Sequence, residues 1–141
     1  LGRDEKVLTQ LQNIAFAQNW GFCPNTVEEI KARVRFNTCD PEGIILIEHQ
    51  DRTSAYNWTL RTGNNRGSTG TVSMTGVHPD YRGRRLGAAV VVAGMSYLID
   101  KGVKGIELEV DADNAPAMGL YRKLGFNIFD AAVWHEKKFN V

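Results

Sequence analysis

Val77-His-Pro-Asp-Tyr-Arg-Gly-Arg-Arg-Leu-Gly-Ala88 is the stretch on which the reading of this chain turns. It follows a strand-like run, Gly70 to Val77. It opens a helical run in which Leu86, Ala89, Val90, Ala93 and Tyr97 recur at helix spacing up to about Asp100. The first turn of a helix carries backbone N–H groups with no intrahelical partner and the positive end of the dipole, so it favours anions. Gly83 and Gly87 let a ligand approach the backbone closely. Arg82, Arg84 and Arg85 add charged forks suited to phosphate oxygens. By itself a basic helix start fits three things: an anion site, a solvated turn, or a patch touching nucleic acid. Two other phosphate motifs are absent. There is no G-x-x-x-x-G-K-[ST], and no G-x-G-x-x-G after a first strand.

Downstream, Gly102 is placed to cap the helix. Lys104 to Asp111 alternates Ile106, Leu108 and Val110 with Glu107, Glu109 and Asp111, a strand pattern. Asn114-Ala-Pro-Ala117 is a helix start with proline in the first turn, and Gly125 is its left-handed stop. Phe126 onward is expected to return as one or two final strands. Val77 to Asp111 therefore reads as strand–helix–strand, a right-handed crossover joining parallel neighbours.

Upstream, Val7, Leu8, Leu11, Ile14 and Ala15 predict a helix from Asp4 to about Gln18, broken by Trp20-Gly-Phe-Cys-Pro24. Thr26-Val-Glu-Glu29 has the form of a capping box, opening a second helix to about Phe36. After the turn Asp40-Pro-Glu-Gly43 come a continuous apolar strand, Gly43 to Glu48, and an alternating strand, Tyr56 to Arg61. Asn64-Asn-Arg-Gly67 is turn chemistry, and with Gly70 to Val77 these strands predict an antiparallel meander. The fold class is mixed α/β.

The bulk numbers suit one soluble domain. The chain has 141 residues, 43% hydrophobic and 23% charged, with a formal net charge of +1. That balance gives no field selecting nucleic acid or membrane. No apolar run approaches the roughly 20 residues a membrane helix needs, and Leu1-Gly-Arg-Asp-Glu5 lacks signal-peptide form. A cytoplasmic location is expected. Cys23 and Cys39 lack metal or redox spacing. Two reduced thiols are the plain reading, with a disulfide or a catalytic thiol as alternatives.

Two motifs in order point further. Gly76 to Ala88, between strand and helix, resembles the acetyl-coenzyme A motif of the GNAT superfamily of N-acetyltransferases. Leu108-Glu-Val-Asp-Ala-Asp-Asn114, followed by Ala117, Leu120, Tyr121, Leu124, Gly125 and Phe126, resembles the second GNAT signature. The resemblance covers about residues 43–130. Asn13-Ile-Ala-Phe-Ala17 before Trp20-Gly-Phe22, with Asn57-Trp-Thr59, is similar to the C-terminal half of tandem proteins of the mycothiol-synthase-like group. The chain departs from the family at Arg85, where glycine is usual, and it opens near the family's first helix, without its first strand.

This resemblance implies a GNAT fold over residues 1–141: a twisted, mostly antiparallel sheet with central parallel strands splayed apart and helices flanking it. It implies a single domain, the C-terminal part of a longer tandem protein. The function implied is transfer of acetyl from acetyl-CoA to a primary amine, without a metal. Backbone groups of Thr75, Gly76 and Val77 would pair with the pantetheine arm like an added strand. The segment Arg82, Gly83, Arg84, Arg85, Leu86, Gly87 and Ala88 would hold the pyrophosphate, with Asn114 and Ala117 also on the cofactor. Tyr121 matches the family's general acid, a phenol of reference pKa near ~10 and so protonated at neutral pH. Its plain reading is a core aromatic beside Ala117, Leu120 and Leu124.

Glu109 is the base the resemblance suggests. Its plain reading, with Glu107 and Asp111, is a solvated strand face. A second acid expected early in the third strand is replaced by Thr71, which leaves Glu109, a water chain, or a degenerate domain that binds acyl-CoA without catalysis. Trp20, Phe22, Trp58 and Trp134 are candidate acceptor walls or core residues, and His135 a candidate polar contact. The acceptor implied is a small-molecule or N-terminal amine. A second GNAT domain or a homodimer is the implied protein partner. The near-neutral charge argues against nucleic acid.

Overall fold

The computed structural model describes residues 4–19, 21–63 and 68–133. The chain divides into two compact units, residues 1–109 and 110–141. In the first, helices α1 (Asp4–Phe16) and α2 (Val27–Val34) precede strands β1 (Ile44–His49), β2 (Arg52–Thr62) and β3 (Thr69–Val77). Helix α3 (Leu86–Asp100) and a short strand β4 (Gly105–Glu107) complete it. The second unit holds α4 (Ala115–Lys123).

The four strands form one sheet in chain order. β1–β2 and β2–β3 are antiparallel, and β3–β4 is parallel. The meander and the parallel crossover match the sequence patterning. Local chemistry explains the boundaries. The capping box is present, with Thr26 accepting from the Glu29 N–H and the Glu29 carboxylate accepting from the Thr26 N–H. Gly102 and Gly125 both sit at positive φ, +78° and +91°, as helix stops require.

Helices α1 and α2 cover one face of the sheet. Leu8, Leu11, Ile30, Val34, Tyr56 and Trp58 form that core. The buried face of α1 runs through Glu5, Leu8, Thr9 and Gln12, so Ile14, expected inside, is 45% exposed. Helix α3 covers the other face, where Val90, Val91, Gly94 and Leu98 are buried.

Two expectations need correction. The alternation of β2 suggested one solvated face, yet every residue from Ser54 to Thr59 is buried. Asn57 and Thr59 face Gly94 of α3, and the hydroxyl and amide donors of the strand are bonded internally. Ser54 Oγ donates to the Ile47 carbonyl at 3.0 Å, Asn57 Nδ2 to Thr75 Oγ1 at 2.8 Å, and Thr59 Oγ1 to the Gly43 carbonyl at 2.8 Å. The strand predicted over Lys104 to Asp111 spans three residues, not eight, and no strand forms between Phe126 and Val133. The alternating glutamates reflect a surface-facing segment rather than extended pairing. The turn at 64–67, Trp20, Trp134 and His135 lie outside the described residues.

At its C-terminal end α3 is tied to the turn before β1. The Tyr97 hydroxyl donates to the Asp40 carboxylate, and Lys101 Nζ lies 3.6 Å from the same carboxylate. The hydroxyl's bond holds the Asp40 carboxyl below its usual range, and burial pushes the Tyr97 phenol up.

Gly94 lets α3 approach this closely. A Cβ there would stand 1.9 Å from Asn57 Oδ1 and 3.0 Å from Thr59 Cγ2. Gly94→Ala is expected to destabilise the fold by about 2–3 kcal/mol, through overpacking of a buried layer. Urea unfolding measures this, and an unchanged midpoint would show that the layer yields freely.

Candidate active site

The site grows from a mismatch between two strands. β3 pairs with β4 only from Thr69 to Thr71, opposite Gly105 to Glu107. From Val72 to Val77 β3 has no strand partner on that edge among the described residues. Alternate residues of such an edge turn N–H and C=O groups outward.

A β-bulge falls at the point of separation. Trp58 pairs with Met74, but Thr59 pairs with Val72, which leaves Ser73 as the extra residue. One inserted residue exchanges the faces of everything beyond it. Gly70, before the bulge, lies against Leu98 of α3. Met74 and Gly76, beyond it, lie against Gln12, Ala15 and Tyr56 on the opposite face. Gly76 is glycine for packing, since a Cβ there would stand 2.5 Å from the Tyr56 ring. Thr75 turns its side chain to Asn57, and Val77 is the last residue of β3.

The chain then leaves the sheet. The His78 N–H donates to the Ser54 carbonyl at 2.8 Å, and a 3₁₀ turn, Pro79–Tyr81, leads into the basic loop. Gly83 has φ +77°. Arg85 is the N-cap of α3, in the left-handed conformation (φ +61°, ψ +17°), and its side chain caps nothing. The loop therefore keeps the backbone shape of a glycine at a position occupied by arginine. The first intrahelical bond here is from the Ala89 N–H to the Arg85 carbonyl, 3.1 Å. The N–H groups of Leu86, Gly87 and Ala88 thus have no carbonyl of their own helix to bond. No acidic residue occupies that turn.

The arginines of the loop diverge. Arg82 Nη2 donates to the Ala15 carbonyl at 2.8 Å, on the last turn of α1. Arg84 lies over the Tyr81 ring, 5.2 Å from its centroid.

Thr71 pairs with Glu107 as the last rung of the parallel ladder. Glu109 is exposed and lies beyond that ladder, not on the interior strand that its alternation suggested. In the second unit, Asn114 caps α4, its Oδ1 accepting from the Ala117 N–H at 3.2 Å. Tyr121 is half-buried, edge-on to Phe126 with centroids 5.8 Å apart. So the loop and the strand edge adjoin one another within the first unit, while Asn114, Ala117 and Tyr121 share one short helix in the second.

The acetyltransferase (GNAT) family profile matches residues 7–126, which takes in both the open edge and the loop. The chain belongs to the GNAT acetyltransferase family. Among curated relatives, the mycothiol acetyltransferase of Arthrobacter sp. (strain FB24) is 36% identical over 140 residues. That match takes in 97% of this chain but 43% of the relative, so the GNAT chain described here spans less than half the length of that protein.

Solved structures share the fold. The ribosomal-protein-S18-alanine N-acetyltransferase from Escherichia coli superposes with a TM-score of 0.69 at 24% identity, over 90% of this chain and 74% of that one. The aminoglycoside N-acetyltransferase AAC(6')-Iy, solved in complex with CoA, gives 0.74 at 10% identity, over 98% and 91%.

Three features escaped the sequence reading. Bulges leave little trace in sequence, and Ser73 is an ordinary strand residue. The bond from Arg82 to Ala15 joins residues 67 apart, beyond any local pattern. The hairpin turn at Gln50 and Asp51 was legible in principle, as two polar residues in the stretch between two strand patterns.

Arg85→Gly tests the loop's strain. A left-handed non-glycine residue costs about 1–2 kcal/mol, partly offset by the greater unfolded-state freedom of glycine. The variant is expected to raise unfolding stability by about 0.5–1 kcal/mol. A loss of stability would mean that the Arg85 side chain contributes more than its backbone strain removes.

Proposed function

We propose that this chain is an acetyl-CoA-dependent N-acetyltransferase domain, acting on a small-molecule or N-terminal amine. The observation that carries it is the junction of an unpaired strand edge with a helix N-terminus whose turn is uncapped and free of acid. An anionic, extended ligand with amide groups fits both halves at once. Thr75, Gly76 and Val77 would bond the pantetheine amides. Backbone groups from Arg82 to Ala88 would hold the pyrophosphate. Asn114 would reach the cofactor through its amide Nδ2, since Oδ1 caps the helix, with Ala117 beside it.

With the pyrophosphate at the loop, the arm runs back along β3 towards the bulge at Ser73. The thioester supplies the acetyl group. The amine nitrogen forms a bond to the carbonyl carbon, the carbon–sulfur bond breaks, the amine's proton goes to a base, and the departing thiolate takes a proton. Tyr121 is the proposed donor to sulfur. Glu109 is the proposed base. Glu107, in register with Thr71 where the strands separate, is the second carboxylate to test, and a water chain is the third route.

We also infer that residues 1–141 form one GNAT domain, the C-terminal part of a longer tandem protein, working in the cytoplasm beside a second GNAT domain or a second copy. The lengths of the curated relatives support this reading. A second reading, a degenerate domain that holds acyl-CoA without turnover, is favoured by one observation: Thr71 offers a hydroxyl where a carboxylate would be useful.

Calorimetry with acetyl-CoA tests the cofactor reading, and absence of binding at millimolar concentration overturns it. Turnover with a panel of amines separates the two readings. Tyr121→Phe is expected to lower thioester cleavage about 10²-fold with CoA affinity nearly unchanged. If wild type shows no amine-dependent cleavage, the binding-only reading stands. Glu109→Gln and Glu107→Gln, read as pH–rate profiles, identify the base: the variant that loses the acidic limb removes it.

A further inference from the structure

Around Tyr81 the structure gathers cationic and polar side chains that the reaction above does not use. Arg84 Cζ lies 5.2 Å and Arg52 Cζ 6.0 Å from the same ring centroid. His49 and His78 meet the ring edge-on, at 6.0 and 5.7 Å. These residues come from two places, the β1–β2 hairpin and the loop before α3.

Asp80 is the carboxylate within the group. It stands 3.8 Å from Arg52 Nη2 and 3.8 Å from His78 Nδ1, and is itself 68% exposed. Among the described residues no carboxylate pairs with Arg84. Two guanidinium groups therefore neighbour a single ring beside a helix start that itself favours anions, with the exposed Asp80 carboxylate near Arg52.

The backbone around the cluster is strained. Gln50 (φ +48°), Asp51 (φ +61°) and Arg85 (φ +61°) are the non-glycine residues at positive φ among those described. All three lie in the two segments that supply the cluster. His49 and Arg52 pair directly across the two-residue turn, so the strained turn sets where the Arg52 side chain starts. Left-handed non-glycine residues concentrate at ligand clamps.

The required chemistry is that of a phosphate monoester. Such a group is doubly charged near neutral pH and offers three oxygens to forked donors. Coenzyme A carries one on its ribose, a few bonds from the pyrophosphate. A receptor for it belongs beside the pyrophosphate loop, and Arg84 is two residues ahead of the first residue of α3. We propose that Arg52 and Arg84, ranged on Tyr81, receive the 3′-phosphate of coenzyme A and so select it over nucleotides that lack this group. The inference rests on the cofactor reading above. Tyr81 acts as the platform: its π-face holds both guanidinium groups by cation–π attraction and leaves their N–H edges for the ligand.

The experiment compares CoA with 3′-dephospho-CoA by calorimetry, on wild type, on Arg52→Gln/Arg84→Gln, and on Arg35→Gln as a charge control distant in sequence. Wild type is expected to bind CoA about ten-fold or more tightly than 3′-dephospho-CoA. The double variant is expected to reduce that ratio to about three or less, and the control to retain it. Equal binding of the two ligands by wild type overturns the inference and leaves the cofactor reading standing. So does a ratio unchanged in a double variant that melts like wild type. Failure of wild type to bind either ligand overturns both. Should the double variant not fold, adenosine 3′,5′-bisphosphate and adenosine 5′-monophosphate serve as competitors on wild type. Stronger competition by the bisphosphate, abolished in Tyr81→Leu, supports the inference, and equal competition overturns it.

Discussion

Ser73 is one residue more than the β2–β3 ladder can pair, and the architecture around it follows from that excess. Before the bulge, Gly70 and Val72 belong to the layer beneath α3. After it, Met74 and Gly76 belong to the layer beneath α1, while Thr75 turns towards Asn57 and α3. The exchange lets β3 contribute to both cores. It also falls where the parallel ladder with β4 ends, at Thr71 and Glu107. Beyond Thr71 the outer edge of β3 has no strand partner among the described residues, while its inner edge stays paired to β2 on both sides of Ser73.

Much of this was legible in the residues. The helix start at Leu86, the capping box at Thr26, the meander and the parallel crossover all rest on short-range chemistry: caps, turn residues and periodicity. The uncapped start of α3 was legible for the same reason, since it depends on where a helix begins. The polar face of β2 was not legible as buried, because Asn57 and Thr59 read as the polar half of an alternating strand until α3 is known to lie on them. Its closeness depends on Gly94, which looks unremarkable in a run of alanine and valine. The length of the last strand was overestimated because alternation with glutamate describes one wet face equally well with or without a partner. Glu109 illustrates the limit. The resemblance suggested it as the base on a strand, yet pairing stops at Glu107, two residues before it.

Arg85 stands where the resemblance expects glycine, and its backbone takes the left-handed turn. The surrounding structure imposes that turn: the 3₁₀ segment fixes the entry, Arg82 fixes one flank, and α3 packs along its length against β1, β2 and β3. Local strain is tolerated where tertiary contacts over-determine the path. The hairpin at Gln50 and Asp51 behaves likewise, held by β1 and β2 on either side.

The bond from Arg82 to the Ala15 carbonyl ties the loop before α3 to a distant part of the chain. It fastens the loop to the last turn of α1, and α1 leads directly into the segment before Thr26. That segment is anchored at its far end, where the Asn25 N–H donates to Asn13 Oδ1 at 2.9 Å and Asn13 Nδ2 donates to the Asn25 carbonyl at 3.0 Å. The Asn13–Asn25 pair thus closes the chain between α1 and α2 at its base, two residues from the carbonyl that Arg82 holds. A ligand that ordered the loop through this bond would also act on the end of α1, and linkage would make that effect reciprocal.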